Sequence, residues 1–306
     1  MKHPKIAVIA DALDNQQAGV HIYLKGLLEG IYQEAPEEDI LLIRESPGNE
    51  FPQWEQKVIP APRHLVGKAK RIFMDLPRAI MNWGADIAFE PAHFGPFNLP
   101  EQIIRVTFIH DLTPLLFPKY HPRHSAILQK WFLPRIVRKA DAVLCNSRHT
   151  KSDITNSWPE AASKTSILYP GLDSFWTADF KQPGGSRQHE RPFLLAVGTL
   201  EPRKNLGTLI HAFERLKSDG WPGQLVLTGA KGWKPHLWAS FLQESPYRHD
   251  IIRTGYVSRE ELKRLYRHCD LFVYPSKYEG FGLPVIEALA SGAKVVCSSS
   301  SSLPEA

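Results

Sequence analysis

Residues 270–298 read DLFVYPSKYEGFGLPVIEALASGAKVVCS. The apolar run 270–275 has the length and the aromatic, β-branched content of a buried strand, and Pro275 stops it. A loop over 276–282 follows and carries Gly280 and Gly282. Pro284 suits the first turn of a helix, and AKVVCS at 293–298 is the next strand. Strand, loop, helix and strand in so short a span make one repeat of a parallel α/β sheet.

Toward the N-terminus the same alternation continues. FLLAVG (193–198) is a strand, a helix covers about 204–217, QLVLTG (224–229) is a strand, and a short helix lies near 235–243. IIRTGYV (251–257) is another strand, and Ser258 with Glu261 forms the capping box of the helix after it. Between Tyr169 and Pro192 the chain turns rich in Gly, Pro and polar residues, which marks 171–192 as a linker. Upstream of it, KIAVIA (5–10), DILLIR, DIAFE, VTFIH and DAVLC read as strands, the last four ending near 44, 90, 110 and 145. Helices are expected after Gly19, where Val20, Leu24, Leu27, Leu28 and Ile31 share one face, and around 66–81 and 123–139. The expectation is an α/β chain with two doubly wound Rossmann-like domains, 1–170 and 193–306, facing a cleft. Only about five strands belong to the second domain before a serine run and LPEA, so that domain is expected to be incomplete.

Bulk properties agree with a soluble globular protein. The chain has 306 residues, 43% hydrophobic and 23% charged, too long for one ordinary core. No apolar run is long enough to cross a bilayer, and Asp11 and Asp14 interrupt the N-terminal run, which therefore reads as a first strand and not a signal peptide. Three separated cysteines build neither a zinc site nor a disulfide framework, which favours a cytoplasmic setting. The net charge of +5 is spread along the chain. Without a basic cluster interleaved with aromatics, a nucleic-acid partner is not expected.

Ligands of open α/β sheets sit beyond the carboxyl ends of the strands, so the loops after 198 and 275 are the places to look for chemistry. Gly280 and Gly282 permit positive φ and close backbone approach. At the helix start, the N–H groups of Phe281, Gly282 and Leu283 suit an anion such as a diphosphate. Glu279 in the loop can accept hydrogen bonds from sugar hydroxyls, and Glu287, read as lying in the first helical turn, can accept both vicinal hydroxyls of a ribose. The plain alternative is a Gly-Pro turn before an amphipathic helix.

The second stretch is VGTLEPRKNLGTLIHAF, 197–213. A strand ends in Gly198-Thr199 and a helix opens near Asn205, with Arg203 and Lys204 at its start. Cations are disfavoured at a helix N-terminus, so their presence points to an anionic ligand. The pair can neutralise a diphosphate leaving group, Arg bidentately and Lys as a point charge, a role that a divalent metal can also fill. A basic surface turn is the alternative. FIHDLTPLLFP (108–118) puts His110 at a strand end, aimed into the cleft, with Asp111 as a candidate to orient its ring. His121 and His124 read as surface residues and receive no metal. GKAKRIFMDLPRAIMNW (67–83) reads first as a packed surface helix and second as a contact for an anionic membrane.

Taken together these stretches resemble the retaining glycosyltransferases of family 4, which have the two-domain GT-B fold. The likeness is strong over 197–213 and 270–305, moderate over 104–154 and weak over 35–85. It implies that Glu279 faces the donor sugar, that Glu287 holds the ribose, that Arg203 and Lys204 contact the diphosphate, and that His110 borders the sugar. It also implies donor contacts from Thr199, Gly280, Phe281, Gly282 and Leu283, and from Tyr256 and Val257 to the base. At the first helix the family usually has a glycine pair; here Ala18-Gly19 keeps only Gly19. In NSRHTKSDI (146–154), Arg148 and Lys151 are candidates for the acceptor side. HDLTPLLFP with EPRKN is similar to the mannosyltransferase-like branch, which implies GDP-mannose as donor and a saccharide or lipid-linked saccharide as acceptor. No cofactor or metal is expected, and peripheral membrane contact stays open. The alternatives are a nucleotide-sugar epimerase or phosphorylase on the same fold, or a non-catalytic nucleotide-sugar binder.

Overall fold

The computed structural model describes residues 3–14, 19–62, 64–92, 98–178 and 191–306. They form two compact units. One comprises Met1–Leu112 and Ile127–Gly171, the other Thr113–Ala126 and Leu172–Ala306. Both are parallel-sheet α/β units of the Rossmann-like kind.

Among its described residues the first unit holds seven strands: β1 (Ile6–Ile9), β2 (Ile40–Arg44), β3 (Glu55–Val58), β4 (Ile87–Glu90), β5 (Ile104–Ile109), β6 (Ala142–Cys145) and β7 (Thr165–Ile167). They lie in the order β3-β2-β1-β4-β5-β6-β7, and every pairing is parallel. Helices cover both faces, so the central strands are apolar on both sides: Val8 and Leu42 face one core with Leu24 and Phe108, while Ala7, Ile9 and Ile43 face the other with Ile80. The two strands that the apolar pattern misses are β3 and β7. The first is a polar edge strand, EQKV, and the second is three residues long, so neither carries a periodic signal.

The second unit holds β8 (Phe193–Val197), β9 (Gln224–Thr228), β10 (Ile251–Gly255), β11 (Leu271–Tyr274) and β12 (Val295–Cys297). The order is β10-β9-β8-β11-β12, again all parallel. In each sheet the strand order reverses once, beside β1 and β4 in the first and beside β8 and β11 in the second. The loops leaving those strands therefore diverge to opposite sides and open a crevice at their carboxyl ends.

Two expectations about domain limits need correction. Thr113–Ala126, placed in the first domain by sequence order, packs with the second unit. The indole Nε1 of Trp233 donates to the Tyr120 carbonyl, Lys234 Nζ donates to that of Lys119, and Phe117 meets Tyr278 at 5.3 Å between ring centroids. Nor does the linker begin at 171: the helical turn Ser174–Thr177 buries Trp176 in the core with Phe193, Val226 and Tyr266. Of the rest of that linker, 179–190 lie outside the described residues, as does Ala18.

Candidate active site

The reversal of strand order beside β8 and β11 is what brings the second unit's chemistry together. The loop after β8 carries Glu201, Arg203 and Lys204; the loop after β11 carries Glu279. Lys204 Nζ lies 2.7 Å from Glu279 Oε1, and Arg203 Nη1 donates to Glu279 Oε2 and, at 3.1 Å, to the carbonyl of Tyr278. The other edge of the guanidinium pairs with Glu201, Nε to Oε1 at 2.5 Å. Lys204 also donates to the Tyr274 hydroxyl, with Nζ 4.6 Å from that ring's centroid. Two cations and two carboxylates thus close one network. Of these, Glu201, Lys204 and Glu279 are buried.

The electrostatics follow from that geometry. Burial alone would raise the Glu279 carboxyl, but the charges of Arg203 and Lys204 and the Lys204 hydrogen bond outweigh it and hold it at about 2. Burial pushes Glu201 the other way, upward, against the pull of the same cations. Gly198 makes the network possible. It sits at φ 132°, and a β-carbon there would meet Lys204 Cε at 3.1 Å and Nζ at 3.2 Å.

This changes the argument from misplaced charge. Pro202–Lys204 is a 3-10 turn, Asn205 is left-handed at φ 58°, and the helix proper is Leu206–Ser218. Arg203 and Lys204 therefore precede the helix and do not sit in its first turn. Their charge is answered by Glu201 and Glu279, so it does not by itself require a ligand.

In the glycine loop, Gly282 takes the positive φ, 109°, and caps the helix Leu283–Ala290 with Pro284 in its first turn. Gly280, expected to share that conformation, is not among the positive-φ glycines. Glu287 is the fifth residue of the helix, past the first turn where the sequence put it, and it is buried. Its Oε2 accepts from the Tyr266 hydroxyl at 3.2 Å, and burial lifts its carboxyl to about 7. Tyr256 is exposed and Val257 half-buried, just after β10, where Gly255 turns the chain at φ 75°. Thr199 is half-buried beside Gly198.

Gly19 and His110 belong to the first unit. Gly19 begins the helix Gly19–Glu34. His110 follows β5, and its Nε2 lies 2.8 Å from the Pro91 carbonyl, which requires the proton on that nitrogen. Tyr23 and Phe108 pack against the ring at 5.4 and 4.6 Å. Arg148 and Lys151 sit on the helix Arg148–Ser157, which Ser147 caps.

Several groups at the strand ends had no role assigned from the sequence. Glu90 ends β4 buried, accepts from the Ala92 N–H at 2.8 Å, and is pushed by burial to about 8. Arg71 is buried in a π-helical turn, Arg71–Asp75, and pairs with both oxygens of Asp11 at 2.7 and 2.8 Å. Arg44, at the end of β2, is buried against Asp14 and Glu50. In sequence these are single charges inside helix-like or strand-like runs. Each of them, like Glu201, stood within a quoted stretch, and for Arg44 and Glu90, which end their strands, and Glu201, just past one, position at a strand end is a usable signal.

Comparison with known proteins follows the same division of the chain. A family model described as Glycosyltransferase Family 4 matches residues 9–174, and one described as Glycosyl transferases group 1 matches 178–306. The O-antigen chain mannosyltransferase B of Escherichia coli is 35% identical over 70% of this chain and 58% of its own length. The serotype-specific mannosyltransferase WbdA of Escherichia coli is 27% identical over 68% of this chain and 26% of its own. The chain therefore spans little more than half of the first relative and about a quarter of the second. The crystal structure of WaaG, a glycosyltransferase involved in lipopolysaccharide biosynthesis, superposes with a TM-score of 0.74 at 15% identity, covering 98% of this chain and 83% of that one, so the fold is that of the GT-B glycosyltransferases. With the family model spanning more than half of its residues, the chain belongs to Glycosyltransferase Family 4.

Proposed function

We propose that this protein is a retaining glycosyltransferase that moves a hexosyl group, with mannose from GDP-mannose as first choice, to a hydroxyl of a saccharide or lipid-linked saccharide. One observation carries the reading: the closed Glu201–Arg203–Glu279–Lys204 network at the strand-order reversal of a sheet that matches the group 1 family. The mannosyl choice rests on the named relatives.

The donor binds on the second unit and the acceptor on the first. Arg203, Lys204 and the N–H groups at the start of the helix after Gly282 receive the diphosphate as its charge develops, a term worth several kcal/mol in a dry site. Glu287 takes the ribose hydroxyls, and Tyr256 and Val257 the base. Glu279 has each oxygen in a charge-assisted bond and a carboxyl held at about 2, which makes it a weak base and a poor covalent nucleophile. That favours attack by the acceptor hydroxyl on the face the diphosphate leaves. The bond from the anomeric carbon to phosphate oxygen breaks, the bond to acceptor oxygen forms, and the acceptor proton passes to the departing phosphate. Glu279 orients the sugar. The two cations take the charge role without a divalent ion, so transfer is expected to persist in a chelator.

The test is a thermal-shift screen of nucleotide sugars, then transfer assays with the anomeric configuration of the product read by NMR. GDP-mannose is expected to raise the melting temperature and to yield a product with the donor's configuration. No shift with any nucleotide sugar sinks the function. An inverted product sinks the retaining course. Conversion of the donor without acceptor gives the epimerase reading instead.

No helix of the described residues is long and apolar enough to cross a membrane. A surface contact has support of its own. The helix Arg123–Lys139 carries Arg123, Lys130, Arg135, Arg138 and Lys139 and no acid, and exposes Ile127 at 57% and Trp131 at 62%. Phe132 joins it to Phe73 of the helical segment 65–83. Cations around an exposed indole suit an anionic bilayer, and we place this surface against the inner, cytoplasmic leaflet. Cosedimentation with phosphatidylglycerol vesicles but not phosphatidylcholine vesicles, reduced by Trp131→Glu, is the expected result.

A further inference from the structure

The serine run 298–302 has no role in the reading so far, yet it closes around the backbone of Glu279. Ser301 Oγ accepts from the Glu279 N–H at 2.8 Å. Ser302 Oγ donates to the Glu279 carbonyl at 2.8 Å and is 3.1 Å from that of Phe281. Both main-chain polar groups of one residue are thus held by two consecutive side chains more than twenty positions away. Ser298 grips the same loop one turn earlier, through the Ser276 carbonyl. Ser302 is fully buried, and Leu303 beside it fills the space above Gly282, where a β-carbon would meet Leu303 Cδ2 at 2.6 Å.

Ser301 adopts φ 53°, a left-handed conformation that is unfavourable for an L-residue. Glycine would sit there without that cost, but it has no hydroxyl to offer Glu279. A strained residue that persists where a relaxed one fits marks a constraint other than the backbone's own preference.

We propose that Ser301 and Ser302 are positioning residues for the sugar-facing carboxylate: they fix the main chain of Glu279, while Arg203 and Lys204 fix its side chain. This rests on the glycosyl-transfer reading above. The pair acts through Glu279 and touches neither donor nor acceptor. A carboxylate restrained at both ends keeps its place against the sugar when the diphosphate departs and its cations are drawn toward the leaving group.

The test compares Ser301→Gly, Ser302→Ala and the exposed control Ser299→Ala in the full chain, by melting temperature and by kcat and KM for the donor. Ser301→Gly is expected to melt no lower than the unmodified protein yet to lose turnover by about tenfold to a hundredfold, the scale of a misplaced reacting group. Ser302→Ala is expected to lose kcat similarly with little change in KM, and Ser299→Ala to change neither. Normal kcat in Ser301→Gly and Ser302→Ala, with the unmodified protein active, overturns the positioning role and leaves the glycosyl-transfer reading standing. Loss of turnover in Ser301→Gly only in step with a lower melting temperature also overturns it, because that is a role in the fold. Absence of transfer by the unmodified protein with every nucleotide sugar overturns the underlying reading and this role with it.

Discussion

At the scale of single residues, the second unit holds two buried glutamates whose environments push them apart. Glu279 lies between two cations and is held at about 2; Glu287 has one neutral hydroxyl partner and is lifted to about 7. The Glu279 contribution to stability is therefore present above the ordinary carboxylate value and is lost as pH falls toward about 2. Glu279→Ala leaves the buried Lys204 and one edge of the half-buried Arg203 without their anion, and should cost about 3 to 5 kcal/mol in urea unfolding as well as transfer activity. For Glu287 the sign reverses. Its raised carboxyl stabilises the fold fully below the ordinary value, and that contribution is lost as pH rises through about 7. The melting temperature of the natural protein should fall relative to Glu287→Gln between about pH 5 and about pH 8. Because the ionised form accepts ribose hydroxyls better, donor affinity should rise through the same window and stay flat in the Gln variant, as read by calorimetry.

At the scale of elements, the glycine loop and the helix after it are locked by Gly282. Its φ of 109° strains any side chain there, and Leu303 Cδ2, 2.6 Å from where a β-carbon would stand, would have to shift. Gly282→Ala should destabilise the chain by about 1 to 3 kcal/mol in denaturant titration, and it should disturb donor binding because the same residue caps the helix Leu283–Ala290. The elements also show where sequence reading stops. The parallel strands β1, β2, β8 and β9 are apolar on both faces and stand out as continuous runs. Glu55–Val58 does not, because an edge strand facing water has no apolar requirement. The segment 65–83 reads as one helix, yet in the structure a π-helical turn, Arg71–Asp75, interrupts it and carries the buried Arg71 that binds Asp11. No helical periodicity announces that turn, since its partner is sixty positions away.

At the scale of the whole molecule, chain order and spatial order part company at Thr113–Ala126. This stretch leaves the first sheet after β5 and packs on the second unit through Trp233, Lys234 and Tyr278, the residue before Glu279. Trp233→Ala removes the hydrogen bond to Tyr120 and the ring beside His121. It should raise amide hydrogen exchange across 114–121 at least tenfold, in line with the loss of a hydrogen bond and its packing, while exchange in β1, β2 and β4 stays unchanged.

The sequence alone carries the layered α/β plan, the two sheets and the identity of Arg203, Lys204, Glu279 and Glu287 as the groups to watch. Each of these is written in a local pattern: an apolar run, a glycine loop, a helix start. Tertiary structure alone decides which charges meet. It pairs Arg203 and Lys204 with Glu201 and Glu279, which the basic turn alone does not foretell. It sets the two glutamates about five pH units apart through burial and neighbours, and it closes Ser301 and Ser302 on the main chain of Glu279. Those outcomes depend on the reversal of strand order beside β8 and β11, and pairing between distant strands leaves no mark in the spacing of neighbours along the chain.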